Sequence, residues 1–204
     1  PSTIAPYTGF STEELQARRA AIEQMVDIDA AVKTDSLNFI DQAISYLEMA
    51  DSVRQKEREL SQLIQTAPER MEILQGKLKK PFMAPEIVAA RAQQMRTSKL
   101  EQRLTQKQAE FATAQTRLRE WNDRLAAEKA FNNQTTDQSA AATSRLTEIQ
   151  TQLETIADAT EADVLNHSRI LSLKSEWEKL TVETKLTEMR QRSHDLLVEL
   201  FSTE

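Results

Sequence analysis

The chain has 204 residues, of which only 2 are Gly and 5 are Pro, so few tight turns and a small number of long elements are expected. Its formal net charge is -6, with 26 basic residues spread among 32 acidic ones, which argues against binding to a nucleic-acid backbone. Cys is absent, which excludes disulfides, thiolate zinc sites and cysteine nucleophiles together.

Residues 1–10 predict an irregular arm, because they contain two Pro and one Gly. The residues that follow predict the start of a helix. Ser11 can act as an N-cap, and Glu14, three residues further on, completes a capping box. A short helix is therefore expected to run to about Val26, and residues 11–204 are expected to form a single elongated helical domain.

A long second helix is predicted from about Thr34, because apolar residues recur there at three- and four-residue steps. The stripe consists of Phe39, Ala43, Tyr46, Ala50, Val53, Leu60 and Ile64. Thr66 can cap a new helix that has Pro68 in its first turn, which predicts an interruption at residues 67–68. The new helix is expected to extend to the Pro-containing segment at residues 81–85, the clearest interruption in the chain.

From Pro85 to Phe131 the pattern predicts one unbroken helix with a heptad repeat. The repeat consists of Leu104, Phe111, Leu118 and Leu125, beside a companion row of Leu100, Ala114 and Trp121 in which Lys107 is the polar exception. A sustained seven-residue repeat predicts left-handed supercoiling against a partner helix. The polar residues 132–139 predict the loop at which the chain turns back.

Two further helices are predicted after that loop. The first runs from Ala140 to about Ala157, and the second runs from a soft break at residues 158–161 to the end of the sequence. The predicted fold class is therefore all-α: an elongated antiparallel helical bundle with long, coiled-coil-like helices.

The residues that could carry chemistry do not form a recognisable set. His167 and His194 lack the spacing of metal ligands, and His194 is interpreted as a surface residue of the last helix. Trp121 and Trp177 lie on helix seams and are interpreted as packing residues rather than as partner hot spots. The sequence therefore predicts a protein that is not an enzyme, with no catalytic, metal-binding or cofactor-binding residues, no cofactor, no nucleic-acid partner and no small-molecule substrate.

Several segments together resemble a known family. They are the Ala67-Pro68 turn, the long helix rich in Gln, Arg, Ala and Leu, the polar segment after it, the helix around Arg145-Leu146, and the segment Glu176-Trp177-Glu178-Lys179-Leu180. The combination is similar to the N-terminal periplasmic helical domain, called the porin domain, of the large mechanosensitive channels in the small-conductance channel superfamily. The resemblance spans residues 37–200.

The resemblance implies a periplasmic segment of a Gram-negative inner-membrane protein, with membrane helices and a pore domain beyond Glu204. It implies a homo-oligomeric channel that transports ions and small solutes in response to osmotic downshock. The implied partners are its own pore domain and sister subunits, with cell-wall or periplasmic components as further candidates. The segment is then expected to have a structural, gating-modulating or cell-wall-contact role. The alternative is a coiled-coil scaffold or adaptor that binds a partner protein and is unrelated to a channel.

Overall fold

Helices account for nearly all of the chain that the computed structural model describes, which is residues 9–79, 83–156 and 163–203, with the backbone alone at 132–134 and 136–137. These residues form six α-helices and no strand, so the predicted all-α bundle is confirmed. The helices are α1 (Thr12–Gln24), α2 (Ala30–Leu78), α3 (Pro85–Gln93), α4 (Thr97–Thr155), α5 (Val164–Arg192) and α6 (His194–Thr203).

The start of α1 is the predicted capping box. The backbone N–H of Glu14 donates to the hydroxyl of Ser11 at 3.2 Å, and the N–H of Ser11 donates to the Glu14 carboxylate at 2.7 Å. Helix α2 begins a few residues before the predicted Thr34, because Asp29 accepts hydrogen bonds from the N–H groups of Ala31 and Val32. Asp is a strong N-cap, so the sequence does carry a signal for this start.

The predicted interruption at residues 67–68 is wrong, because α2 continues through Pro68 to Leu78. A proline inside a helix removes one backbone hydrogen bond and costs about 3 kcal/mol. Local packing offsets that cost, since the neighbouring Ala67 is fully buried and Met71 is nearly so. Helix α2 ends at Leu78 and α3 begins at Pro85, on either side of the predicted interruption at residues 81–85, of which 81–82 lie outside the described residues.

The predicted loop at residues 132–139 is also wrong, because α4 runs unbroken from Thr97 to Thr155. These residues are polar but include no Gly or Pro, and polarity by itself does not terminate a helix. The prediction of one unbroken helix from Pro85 to Phe131 is also wrong, because this stretch contains a break that the sequence did not indicate. The stretch is divided at residues 94–96, where the N–H of Met95 donates to the carbonyl of Ala92 at 3.0 Å and α3 ends without a Gly or Pro.

The last predicted helix also consists of two pieces. Helix α5 ends at Arg192 and α6 begins at His194, with Ser193 between them. Asp163 precedes α5 and accepts a hydrogen bond from the N–H of Asn166 at 3.1 Å. The soft break predicted at residues 158–161 lies outside the described residues, as do residues 1–8 of the predicted arm.

Contacts divide the chain into two compact units. Unit 1 comprises residues 1–61 and 134–192, and unit 2 comprises residues 62–133 and 193–204. Helices α2 and α4 each contribute one part to unit 1 and the other part to unit 2. The prediction of one domain over residues 11–204 stays a prediction.

Unit 1 has two clusters of buried side chains. The first joins α1 and α2 through Leu15, Ile22, Ile40, Ala43 and Leu47, with Val164 and Leu171 of α5 packed against it. The second joins α4 and α5 through Ile149, Leu153, Leu173 and Trp177. Helix α1 is antiparallel to α2, since Lys33 Nζ near the start of α2 donates to carbonyls at the end of α1, and Asp41 further along α2 accepts from Arg19, which lies earlier in α1.

Unit 2 has a smaller core. Ala67 and Met71 of α2 pack against Leu200 of α6, and the partly buried side chains around them are Leu63, Leu196 and Phe201. No residue of α3 is buried. Residues 101–120 of α4, which also belong to this unit, are exposed throughout. A substantial part of unit 2 therefore contributes nothing to its core.

Candidate interaction surfaces

An ion pair with two hydrogen bonds connects α4 to α5 in unit 1. Arg145 donates to the two carboxylate oxygens of Glu176, from Nε at 2.7 Å and from a terminal nitrogen at 2.8 Å. The Glu176 side chain is 14% exposed, and this hydrogen bonding raises the pKa of Arg145 above its ordinary value. Two parallel charge-assisted bonds fix the register of the two helices. The pair therefore has a structural role.

Two further ion pairs connect α2 to α5 in the same unit. Arg54 pairs with Glu178, and Lys185 Nζ lies 2.6 Å from a Glu57 carboxylate oxygen. Because Arg54 precedes Glu57 on α2 and Glu178 precedes Lys185 on α5, these two helices are parallel. These ion pairs, with the Arg145–Glu176 pair, hold the helices of unit 1 together.

A groove of about 590 Å³ lies between α2, α4 and α5 in unit 1. Small side chains create the space, since α4 presents Ala141 and Ala142 to it. The charged groups at the groove are Lys56, Arg145 and Glu183, and Arg145 is held by Glu176. The Thr184 hydroxyl at the groove donates to the backbone carbonyl of Leu180 and not to a base.

The histidines do not form a metal site with other ligands in the parts of the chain that the structure describes, where no group of three or more His, Asp or Glu side chains could hold an ion. The interpretation of His194 as a surface residue is wrong. Its Nδ1 lies 3.2 Å from an oxygen of Glu128, and Glu128 is only 2% exposed. The two residues are 66 positions apart, so no local sequence signal could have paired them.

The two tryptophans have different surroundings. Trp177 is 8% exposed in the second core cluster of unit 1, as expected of a packing residue. Trp121 in unit 2 is half-buried, with its ring centroid 5.5 Å from that of Phe201. The guanidinium carbons of Arg124 and Arg70 lie 4.6 and 5.7 Å from the Trp121 centroid, which is cation–π distance. Trp121 therefore packs within unit 2, as predicted.

The most distinctive surface is a row of large apolar side chains on α4. Leu104, Phe111 and Leu118 are 60%, 64% and 58% exposed, and we call these three residues the α4 seam. They are three members of the predicted heptad repeat, and the fourth, Leu125, is half-buried. Helices in proteins are stabilised mainly by packing of an apolar face, so the α4 seam is a candidate contact surface.

The described residues form an all-α bundle in which ion pairs join neighbouring helices and large apolar side chains are exposed along one face of α4. None of the helices in these residues is both long enough and apolar enough to cross a lipid bilayer.

The family model of the mechanosensitive ion channel porin domain matches residues 14–204, so the chain belongs to that family. This confirms the resemblance drawn from the sequence, and the family is one of channel domains rather than of enzymes. Neither a curated protein nor a solved structure gives a significant match to the chain.

Proposed function

We propose that this chain is the periplasmic helical domain of a mechanosensitive channel and that it modulates gating during osmotic downshock through contacts with other protein segments. The observation that carries the proposal is the match of the channel porin domain over residues 14–204. The partners we propose are the channel's own pore domain and sister subunits.

The α4 seam supports protein contact over contact with the cell wall. Its three side chains are large and apolar, and desolvating them provides a driving force for association with another apolar surface. A carbohydrate polymer offers hydroxyls and charges, which such a face cannot satisfy. Loss of the seam is therefore expected to alter the behaviour of the channel and to leave wall binding unaffected.

The periplasmic location can be tested by labelling. Val26 is 89% exposed in unit 1, and the chain has no Cys, so Val26→Cys adds one accessible thiol to this segment. In the full channel, made free of other cysteines, we expect a membrane-impermeant maleimide to label this thiol in spheroplasts. Labelling only after lysis would place the segment on the cytoplasmic side and contradict the proposal.

The gating role can be tested by recording tension-evoked currents from membrane patches. Channels that carry Leu104→Gln, Phe111→Gln and Leu118→Gln together are expected to open at a different tension from the wild type, and deletion of the whole segment should shift the threshold in the same direction. Ile73 and Val26 are also exposed, so Ile73→Gln with Val26→Gln is the matched control. Unchanged threshold and open probability after deletion would rule out a gating role.

A further inference from the structure

We infer that the α4 seam pairs with the α4 seam of a second copy of this chain, with the two helices antiparallel. The inference concerns a contact between two copies and does not rest on the channel role. It starts from the exposure of Leu104, Phe111 and Leu118 along a helix whose residues 101–120 are exposed on all sides. An apolar heptad row of this kind is the half of a coiled coil that lacks its other helix.

Heptad positions follow from the spacing. With Leu104 at position a, the following a residues are Phe111, Leu118 and Leu125, and the d residues include Lys107 and Ala114. In a parallel, in-register pair each residue meets its own equivalent, so two Lys107 side chains would face one another inside the interface. That arrangement places like charges together and is unfavourable.

Antiparallel pairing separates the two Lys107 side chains, because each a residue then faces a d residue of the second copy. One register places Phe111 opposite Ala114 and Leu118 opposite Lys107. The large ring then meets a small side chain, which suits close packing. The aliphatic stem of Lys107 can cover Leu118 while its ammonium keeps its own ion pair with Glu110, at 2.5 Å. By two-fold symmetry each of these contacts occurs twice.

Charge complementarity selects the same register. Glu110 and Arg117 both occupy position g, and in this antiparallel register Glu110 of each copy faces Arg117 of the other. In the parallel pair they would face the uncharged Gln115 and Asn122, and no ion pair would form. At the ends of the antiparallel register Arg103 faces Arg124, but Arg124 lies over the Trp121 ring of its own chain.

The contact is expected to be weak. Four central layers between two helices bury an area at or below the low end of specific interfaces, about 1,200 Å² in total. Association should therefore be detectable by sedimentation equilibrium of the 204-residue chain between micromolar and millimolar concentrations. Leu104→Gln with Phe111→Gln and Leu118→Gln should weaken it by at least about tenfold. A wild type that stays monomeric, or a seam variant that associates equally well, would overturn the inference.

Orientation is tested by a matched pair of thiols. Gln108 and Gln115 are both exposed e residues, and in the proposed register Gln108 of each copy faces Gln115 of the other. The two copies of residue 108 are then about 14 Å apart along the helices. In a mixture of the two single variants, a short bismaleimide should join Gln108→Cys chains to Gln115→Cys chains more readily than it joins Gln108→Cys chains to one another. Equal cross-linking of Gln108→Cys chains to one another and to Gln115→Cys chains would contradict the inference.

Charge reversal gives an independent test. Glu110→Arg and Arg117→Glu should each weaken association, because each places like charges across the two-fold axis. The double variant should recover at least part of the loss, since the pair is then restored with opposite polarity. Additive weakening in the double variant would show that the two positions do not face one another.

Discussion

Individual polar residues at helix ends determine where the helices of unit 1 begin. Ser11 and Glu14 accept hydrogen bonds from each other's backbone N–H groups at the start of α1. At the start of α2 the Asp29 side chain accepts from the backbone N–H of Ala31. The Ser11 hydroxyl also hydrogen-bonds to Glu13, whose own backbone N–H is the larger cause of a pKa below its ordinary value of 4.5. These residues form a single electrostatic cap on α1.

The direction of the Glu13 pKa shift determines the pH range in which its carboxylate stabilises the folded state. Because the folded pKa is lower than the ordinary value of 4.5, the ionised carboxylate favours the folded state. That contribution is complete above the ordinary pKa and is lost as the pH falls through the lower folded pKa. The cap on α1 should therefore weaken in acid and be insensitive to pH near neutrality.

Ser11→Ala removes the hydroxyl that both caps the helix and contacts Glu13. We expect a loss of about 1 kcal/mol in the free energy of unfolding, measured by urea denaturation at pH 7. The pKa of Glu13 should also rise toward 4.5, measured by NMR titration of its carboxyl. Ser144→Ala, at an exposed position within α4, is the control. A Glu13 pKa that responds equally to both variants would show that the Ser11 hydroxyl does not stabilise the carboxylate.

At the scale of the helix, packing determines whether a start or stop signal in the sequence takes effect. Thr66 and Pro68 form a credible helix start, yet α2 passes through them, and the Thr66 hydroxyl donates back to the carbonyl of Gln62. Pro68 is exposed, so its ring contributes little packing to set against the hydrogen bond it removes. Residue 68 is therefore a locally unfavourable position in a helix that unit 2 stabilises elsewhere.

Pro68→Ala should stabilise the protein. It restores a backbone donor and a good helix former at an exposed position, and a smaller opposing effect arises from the greater freedom of the unfolded chain. We expect a gain of about 1–2 kcal/mol in the free energy of unfolding. Pro85→Ala is the matched control, because Pro85 is the first residue of α3, where the missing N–H has no intrahelical partner. Equal gains at both positions would contradict the explanation.

Features that depend on neighbouring residues in the sequence were predictable, and features that depend on distant residues were not. The Ser11 capping box and the heptad row through Leu104 were readable because both depend on residues a few positions apart. The break at residues 94–96 has no Gly or Pro, so it left no local sign. Exposure of Leu118 and half-burial of Leu125 depend on which helices lie nearby, and the contact between His194 and Glu128 depends on two distant segments. The last two features follow from tertiary packing, whereas α3 has no buried residue whose packing would account for the break.

At the scale of the whole molecule, the chain has two units with separate cores. Leu200 is fully buried in the core of unit 2, and Ile149 is fully buried in unit 1. Ion pairs reinforce the helix contacts of unit 1, whereas much of unit 2 is exposed helix. Local stability follows buried apolar contact, so the two units should differ in how readily their amides exchange with solvent.

Leu200→Ala and Ile149→Ala test whether the two cores are energetically separate. Each removes a fully buried side chain and should cost about 2–5 kcal/mol in its own unit. By hydrogen exchange, Leu200→Ala should reduce protection around Leu63 and Met71, and Ile149→Ala should reduce it around Leu173 and Trp177. Each variant serves as the control for the other. If both variants lowered protection equally in the two units, the chain would unfold as one cooperative body. Loss of protection confined to the unit that carries the substitution would instead mean that unit 2, with its smaller core and exposed α4 seam, can open while unit 1 stays folded.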